Sequence, residues 1–231
     1  MSTRVVPLAL AEINLQGQYN PPSFADTRIV VNAFLISDQD TYFLVDTGVG
    51  EGNGYVDEQF DPVRRSLAAA LREHDVDVQD IAAVINSHLH FDHCGNNALF
   101  SHTPTFVQRD ELAVARKGAY TVREWFDFDQ ANLVALDGEH ALTPNVTLLP
   151  TPGHTPGHQS VVVRTASAQI LIAAQAAFDA AEYNQGGAPA VQAHDGLEAA
   201  YTASLERLRA IAARCVYFSH ERHLPQRAED T

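Results

Sequence analysis

Four residues able to bind a metal fall within the six positions His88 to His93 of the segment Ser87-His88-Leu89-His90-Phe91-Asp92-His93-Cys94-Gly95-Asn96. The apolar stretch Ile81 to Asn86 runs straight into this segment and has the character of a buried strand. On an extended backbone, alternation puts His88, His90 and Asp92 on one side, and His93 follows in a turn that can redirect its ring. Gly95 and Asn96 supply the permissive backbone such a turn requires. Nitrogen and oxygen donors of this kind suit borderline or hard divalent ions such as zinc, manganese or iron.

The chain has eleven histidines, and two more of them sit at strand exits. His154 lies in Thr151-Pro152-Gly153-His154-Thr155-Pro156-Gly157-His158, after the strand expected over Val146 to Leu149. His220 follows the strand expected over Cys215 to Phe218. Histidines presented after separate strands can converge on one edge of a sheet sandwich, which is what a metal site requires. His158 is placed to orient a ligand or to cover the site. His74, His102, His140, His194 and His223 read as surface or packing residues. Cys94 reads as a small buried residue, since ligation would turn its thiol into a crowded site.

Around these loops the pattern alternates strands and helices. Arg28 to Ser37 and Thr41 to Gly48 form a hairpin about Asp38-Gln39-Asp40, and Gly48 to Gly54 is a glycine-rich loop. A helix is predicted to begin with Asp61 as cap and Pro62 at its first position, burying Val63, Leu67 and Leu71. A short helix is expected over Asp110 to Lys117. The aromatic patch Tyr120, Trp125, Phe126 and Phe128 could line a pocket, pair subunits or pack an irregular excursion. The second half repeats the style, with strands at Val146 to Leu149, Ser160 to Arg164 and Gln169 to Ala173. A helix capped by Asp195 follows, with Leu197, Tyr201, Leu205, Leu208 and Ala212 on one face. The expected architecture is α/β, one domain of two similar αβ halves with helices outside two sheets, and a frayed polar tail at 226–231.

Composition narrows the class of partner. Apolar residues are 45% of the 231 and charged residues 19%, as in a globular domain. Fifteen Lys and Arg face 29 Asp and Glu, a formal charge of -14, so nucleic acid and anionic membrane are disfavoured and a small-molecule substrate is expected. Two cysteines fit a reducing compartment, and neither a secretory pattern nor an apolar span is recognisable, so the expected location is cytoplasmic. No dinucleotide-binding, Walker, serine-elbow or CxxC motif is present.

The order of these motifs resembles a known family. HLHFDH matches the HxHxDH signature of the metallo-β-lactamase-fold hydrolases, and LVDTG, GHTPGH and the late strand before His220 follow in the same order, covering about residues 28 to 221. HLHFDHCGN followed by TPTFVQRDE is most similar to the N-acyl-homoserine lactonase group. The resemblance implies an αββα sandwich, the metallo-β-lactamase fold. It places His88, His90 and His154 on one metal, and Asp92, His93 and His220 on a second, with Asp46 pinning the cluster by hydrogen bonds. One or two zinc ions are implied, with manganese or iron as alternatives.

Two positions depart from the family pattern. The aspartate that bridges both metals falls on Gln175, whose neutral carboxamide bridges poorly. The tyrosine that orients or protonates the substrate, three residues on, falls on Phe178, which shapes a pocket but donates no proton. Asp179 is the nearest carboxylate, and Tyr183, Tyr120 and Tyr19 are the alternative phenols. The implied function is a metal-dependent hydrolase of a small cyclic ester, with Asp92 accepting a proton as well as binding metal. Phe24, Trp125 and Phe126 are placed against an apolar part of the substrate. Hydrolysis of another ester, a thioester, an amide or a phosphoester, and a non-catalytic metal- or ligand-binding protein degenerate at Gln175, stay open. A homodimer is a compatible assembly.

Overall fold

The computed structural model describes residues 3–15, 28–118, 121–185 and 194–224. Its first sheet contains, in chain order, β1 (Arg4–Asn14), β2 (Arg28–Asp38), β3 (Thr41–Val45), β4 (Val63–Arg64), β5 (Ile81–Ile85), β6 (Thr105–Gln108) and β7 (Leu133–Leu136). The spatial order is β4-β1-β2-β3-β5-β6-β7. Strands β1, β2 and β3 pair antiparallel, whereas β3, β5, β6 and β7 run parallel. The second sheet is built from β8 (His140–Ala141), β9 (Val146–Pro150), β10 (Gln159–Arg164), β11 (Gln169–Ala174) and β12 (Cys215–Phe218), in the order β12-β11-β10-β9-β8. Only β11 and β12 are parallel in it.

Alternation explains the layers. Along β2, Phe34 and Ile36 enter the core between the sheets, with Phe43, Val45, Ile85, Val161, Val163, Ile172 and Tyr217. The intervening Ala33 and Leu35 turn outward under α2 (Leu67–Arg72), against Leu67, Ala70 and Leu71. On the far side, Leu171 and Ala173 of β11 pack under Tyr201, Leu205 and Leu208 of α6 (Glu198–Ala210). Strands buried on both faces read as nearly continuous apolar runs. The result is the expected αββα sandwich. No helix is long and apolar enough to cross a membrane among the described residues.

Two helix starts differ from expectation. Asp61 does not open a helix; it closes α1 (Gly54–Phe60) in a left-handed conformation, φ 40°. Asn53 caps α1 by accepting the Val56 N–H at 3.0 Å. Val63 then pairs with Glu12 on the edge strand β4 and is 61% exposed, so only Leu67 and Leu71 of the predicted face are buried. Ser66 accepts the Ala69 N–H and starts α2 instead, because its hydroxyl is a better-placed cap than Asp61 five residues upstream. Asp195 is likewise no cap. Gly196 turns the chain at φ 82° and α6 begins at Glu198 with no side-chain cap, leaving Ala212 exposed beyond its end. The tail at 226–231 lies outside the described residues.

The two sheets are clamped at the end where β2 meets its hairpin. Asp38 accepts hydrogen bonds from Thr143 (2.6 Å) and Asn145 (2.9 Å), both in the turn before β9, and from Thr3 (2.8 Å). Burial pushes its carboxyl up, but the bonds from Thr143, Asn145 and Thr3 outweigh this and hold it below the usual carboxylate range. Stability from a lowered carboxyl is present above the unfolded pKa and lost as pH falls through the folded one. Asp38→Ala is therefore expected to cost about 2–4 kcal/mol at pH 7, with the difference from wild type shrinking below about pH 4. Urea unfolding at pH 7 and pH 3 measures it, and equal stability of the two proteins at pH 7 would refute the clamp.

Candidate metal centre

The edge opposite Asp38 gathers the carboxyl ends of β3, β5, β9, β11 and β12, which deliver Asp46, His88, His154, Gln175 and His220 in turn. The 87–94 loop is anchored first. Asp46, fully buried and at φ 62°, accepts the Ser87 N–H and the Ser87 hydroxyl, both at 2.7 Å, and meets His93 Nδ1 at 2.8 Å. A non-glycine residue in the left-handed region is strained, and here three hydrogen bonds to one carboxylate offset that strain. Asn86 Nδ2 donates to His93 O at 3.2 Å, and Thr47 N donates to the same carbonyl at 2.7 Å. A Cβ on Gly95 would lie 1.9 Å from Gly50 N, so only glycine lets the two loops touch.

Two groups of donors result. His88, His90 and His154 form one, and Asp92, His93 and His220 the other; within each, the ligand atoms lie within 4.8 Å of one another. His90 Nδ1 is 2.9 Å from His88 Nε2 and 3.1 Å from His154 Nε2. A single proton on Nδ1 can satisfy only one of these contacts, so the cluster presents lone pairs converging on one point. Burial, reinforced by neighbouring imidazoles, pushes His88 and His90 well below the usual histidine range, which keeps them neutral and able to ligate.

The second group carries the negative charge. His93 Nε2 lies 3.4 Å from Asp92 Oδ2 and is a buried atom with no hydrogen-bond partner. Burial alone would lower this imidazole, but the charges of Asp92 and Asp46, with the Asp46 hydrogen bond, carry it up to about 10. Asp92 is held well below the usual carboxylate range: burial opposes this, and the charges of His93 and His220 overcome it. His220 meets Val30 O through Nδ1 at 2.9 Å and has Nε2 3.7 Å from Asp92 Oδ2; burial pushes it down to about 4. Two carboxylates that make His93 hold its proton so strongly also favour a metal cation there. The unpartnered His93 nitrogen, the converging lone pairs and the N/O donor set all fit a pair of divalent ions, without choosing among zinc, manganese and iron.

Gln175 and Phe178 both reach the same chamber. A cavity of about 440 Å³ is lined by Gln175, His90, Asp92, His154 and His220 on its polar side. Ile13, Ile29, Val56, Phe60, Phe91 and Phe178 are among its apolar residues. Phe178 stacks on His220 with centroids 5.0 Å apart. Asp179 does not replace the bridging carboxylate, since its Oδ1 caps the Glu182 N–H at 2.8 Å and starts α5 (Ala180–Gln185). Tyr183 packs on Phe218 and is not among the cavity's lining residues. His158 is fully buried beneath the site and accepts the Gln175 N–H at 3.3 Å, with Nδ1 2.9 Å from Thr151 Oγ1.

Two expected pocket residues are placed otherwise. Phe126 is fully buried with Leu89, Cys94, Val107 and Leu112, and does not line the cavity. Trp125 packs across Gly50 between two apolar clusters and does not line it either. Phe126 is claimed by the core, whereas Trp125 stays half-buried. Phe24, Tyr19 and Tyr120 lie outside the described residues. The cavity instead uses Ile13 and Leu15 at the end of β1, and Tyr55 and Phe60 of α1. These carried no signal in sequence, being ordinary strand and helix residues far from the histidines. Cys94 is fully buried, with Sγ near Leu89 O and His90 O, and burial pushes its thiol up, as suits a packed residue. Of the remaining histidines, His140 stacks on Phe106, His74 is half-buried, and His102, His194 and His223 are exposed.

Comparison with known proteins agrees with this geometry. An N-acyl homoserine lactonase from Bacillus sp is 34% identical over 158 residues, 63% of each chain, so the match spans less than two thirds of that relative's length. N-acyl homoserine lactonase AttM of Azorhizobium caulinodans is 28% identical over 223 residues, covering 84% of this chain and 82% of that one. A solved N-acyl homoserine lactone hydrolase, with the product N-hexanoyl-L-homoserine bound at its catalytic metal center, superposes with a TM-score of 0.79 at 25% identity, covering 95% and 92% of the two chains. The Metallo-beta-lactamase superfamily matches residues 26–220. With its αββα sandwich and its two donor clusters at one sheet edge, this chain belongs to the metallo-β-lactamase superfamily and is related to the N-acyl-homoserine lactonases.

Proposed function

We propose that this protein opens a small cyclic ester bearing an apolar acyl chain, a lactone of the N-acyl-homoserine type. The observation that carries the reading is the juxtaposition of both donor clusters with one apolar chamber, in which Phe60 and Phe91 pack at a tilt with centroids 4.4 Å apart. The named activity of the relatives supports the choice of a lactone. Divalent ions held by His88, His90, His154 and by Asp92, His93, His220 would acidify water and polarise a carbonyl oxygen. The chain's own part is to place the reactants. Phe91, Phe60, Val56 and Ile29 exclude water and receive the acyl chain. Asp92, held in its ionised form, offers a carboxylate acceptor that would orient the attacking water. Phe178 covers His220 and offers no proton to the leaving alcohol.

That last feature favours good leaving groups. Rates should fall steeply as the leaving alcohol or amine becomes more basic, since residue 178, beside His220, is a phenylalanine and supplies no phenol to protonate it. A panel of acyl-amide lactones, aryl esters, amides and phosphodiesters, assayed with His90→Ala as control, tests the proposal. Lactone turnover is expected to exceed phosphodiester turnover by at least about 10²-fold, and His90→Ala is expected to abolish it. Phosphodiester cleavage without lactone opening would overturn the substrate, and full lactone activity in His90→Ala would overturn the metal reading.

A further inference from the structure

The His88, His90 and His154 cluster draws its donors from loops that belong to different sheets. Residues 87–94 follow β5, and residues 151–158 follow β9. The spacing of the ring nitrogens therefore depends on how firmly one loop is held against the other. Glu111, in α4 (Arg109–Ala115), is a fully buried carboxylate lying between them. Its Oε1 accepts the Leu89 N–H at 2.8 Å, from the residue between His88 and His90. Its Oε2 accepts the Thr155 hydroxyl at 2.6 Å and the Gly157 N–H at 3.2 Å, just after His154. The backbone makes room for this: a Cβ on Gly157 would lie 2.1 Å from Glu111 N.

We infer that Glu111 is a positioning residue that presets the three-histidine cluster for its metal by bonding both ligand loops through one carboxylate. The inference rests on the reading that this cluster holds a divalent ion. Hydrogen bonds to an ionised acceptor are stronger than neutral ones, and groups that orient ligands govern metal affinity and geometry. A glutamine at 111 has only one acceptor oxygen, so its NH₂ must face either the Leu89 N–H or the Gly157 N–H and push one loop away. A valine at 155 removes one bond and leaves the other two.

Glu111→Gln and Thr155→Val, each made in a His220→Ala background so that the three-histidine cluster alone is titrated, test the inference. Zinc affinity is read by competition with a chromophoric chelator, and ligand geometry by the visible spectrum of the cobalt(II) form. Glu111→Gln is expected to weaken zinc binding about 10- to 100-fold and to change the cobalt bands, and Thr155→Val to do both to a smaller extent. Affinity within twofold of the background protein, or weaker binding with an unaltered cobalt spectrum, overturns the positioning role. If Glu111→Gln does not fold, Thr155→Val is decisive on the same two readouts. Failure of the His220→Ala protein itself to bind zinc or cobalt sinks the metal reading, and the inference with it; normal binding there with no change in either variant sinks the inference alone.

Discussion

Asp92→Asn is expected to lower kcat/KM for lactone opening by about 10²- to 10³-fold and to leave the protein folded. Of the six donors in the two clusters, five are imidazoles and Asp92 is the one carboxylate. It lies between His93 and His220, at 3.4 and 3.7 Å from their Nε2 atoms, and is almost entirely buried. An asparagine keeps the shape but removes the one carboxylate among the six donors, leaving Asp46 one residue removed behind His93. Two effects then add. A cation is held less tightly, and the water in the chamber loses the acceptor that orients it. Steady-state kinetics with parallel measurement of bound metal separates them, because excess metal restores the first but not the second. Activity within threefold of wild type would remove Asp92 from the centre.

Gln175→Asp carries the other large expectation, in the opposite direction. Gln175 lines the cavity beside His90, Asp92, His154 and His220, and its position is set by its backbone N–H on His158. A carboxylate there would share the cavity with members of both donor clusters, and Asp179 does not compete for that place, being committed to capping α5. The second equivalent of metal is expected to bind about 10- to 100-fold more tightly. The added negative charge also makes a proton harder to lose, so the acid limb of the pH–rate profile should move to higher pH. Competition titration and a pH profile between 5 and 9 report the two effects. Unchanged affinity for the second equivalent would place residue 175 outside the reach of the ions.

The donor residues were legible because metal chemistry demands particular atoms at particular spacings. His88, His90, Asp92 and His93 stood out as a group, and His154 and His220 by their place after strands. Apolar strands such as β2 and β11 were legible for a related reason: burial on both faces leaves a continuous run. Strands β6 and β7 were not. They have four residues each and owe their pairing to neighbours far along the chain, so no local pattern marks them. Helix starts failed where two acceptors competed, as at Asp61 and Ser66, since the choice depends on which segment the edge of the sheet recruits.

What the amino-acid sequence determined by itself was the identity of the candidate donor residues and the sandwich class, each a property of residue type and order. Only the tertiary structure decided which aromatics face the chamber. Trp125 and Phe126 are as apolar as Phe60 and Phe91, yet the second pair lines the cavity while Phe126 is buried among Leu89, Val107 and Leu112 and Trp125 packs across Gly50. Hydrophobicity drives all four out of water with no preference of direction, so the partner each one meets is set by the packing of distant elements. The same holds for Glu111. In sequence it is one acid in the first turn of a helix, and it becomes a clamp on two ligand loops only because the fold excludes water and brings three donors from residues 89, 155 and 157 onto its carboxylate.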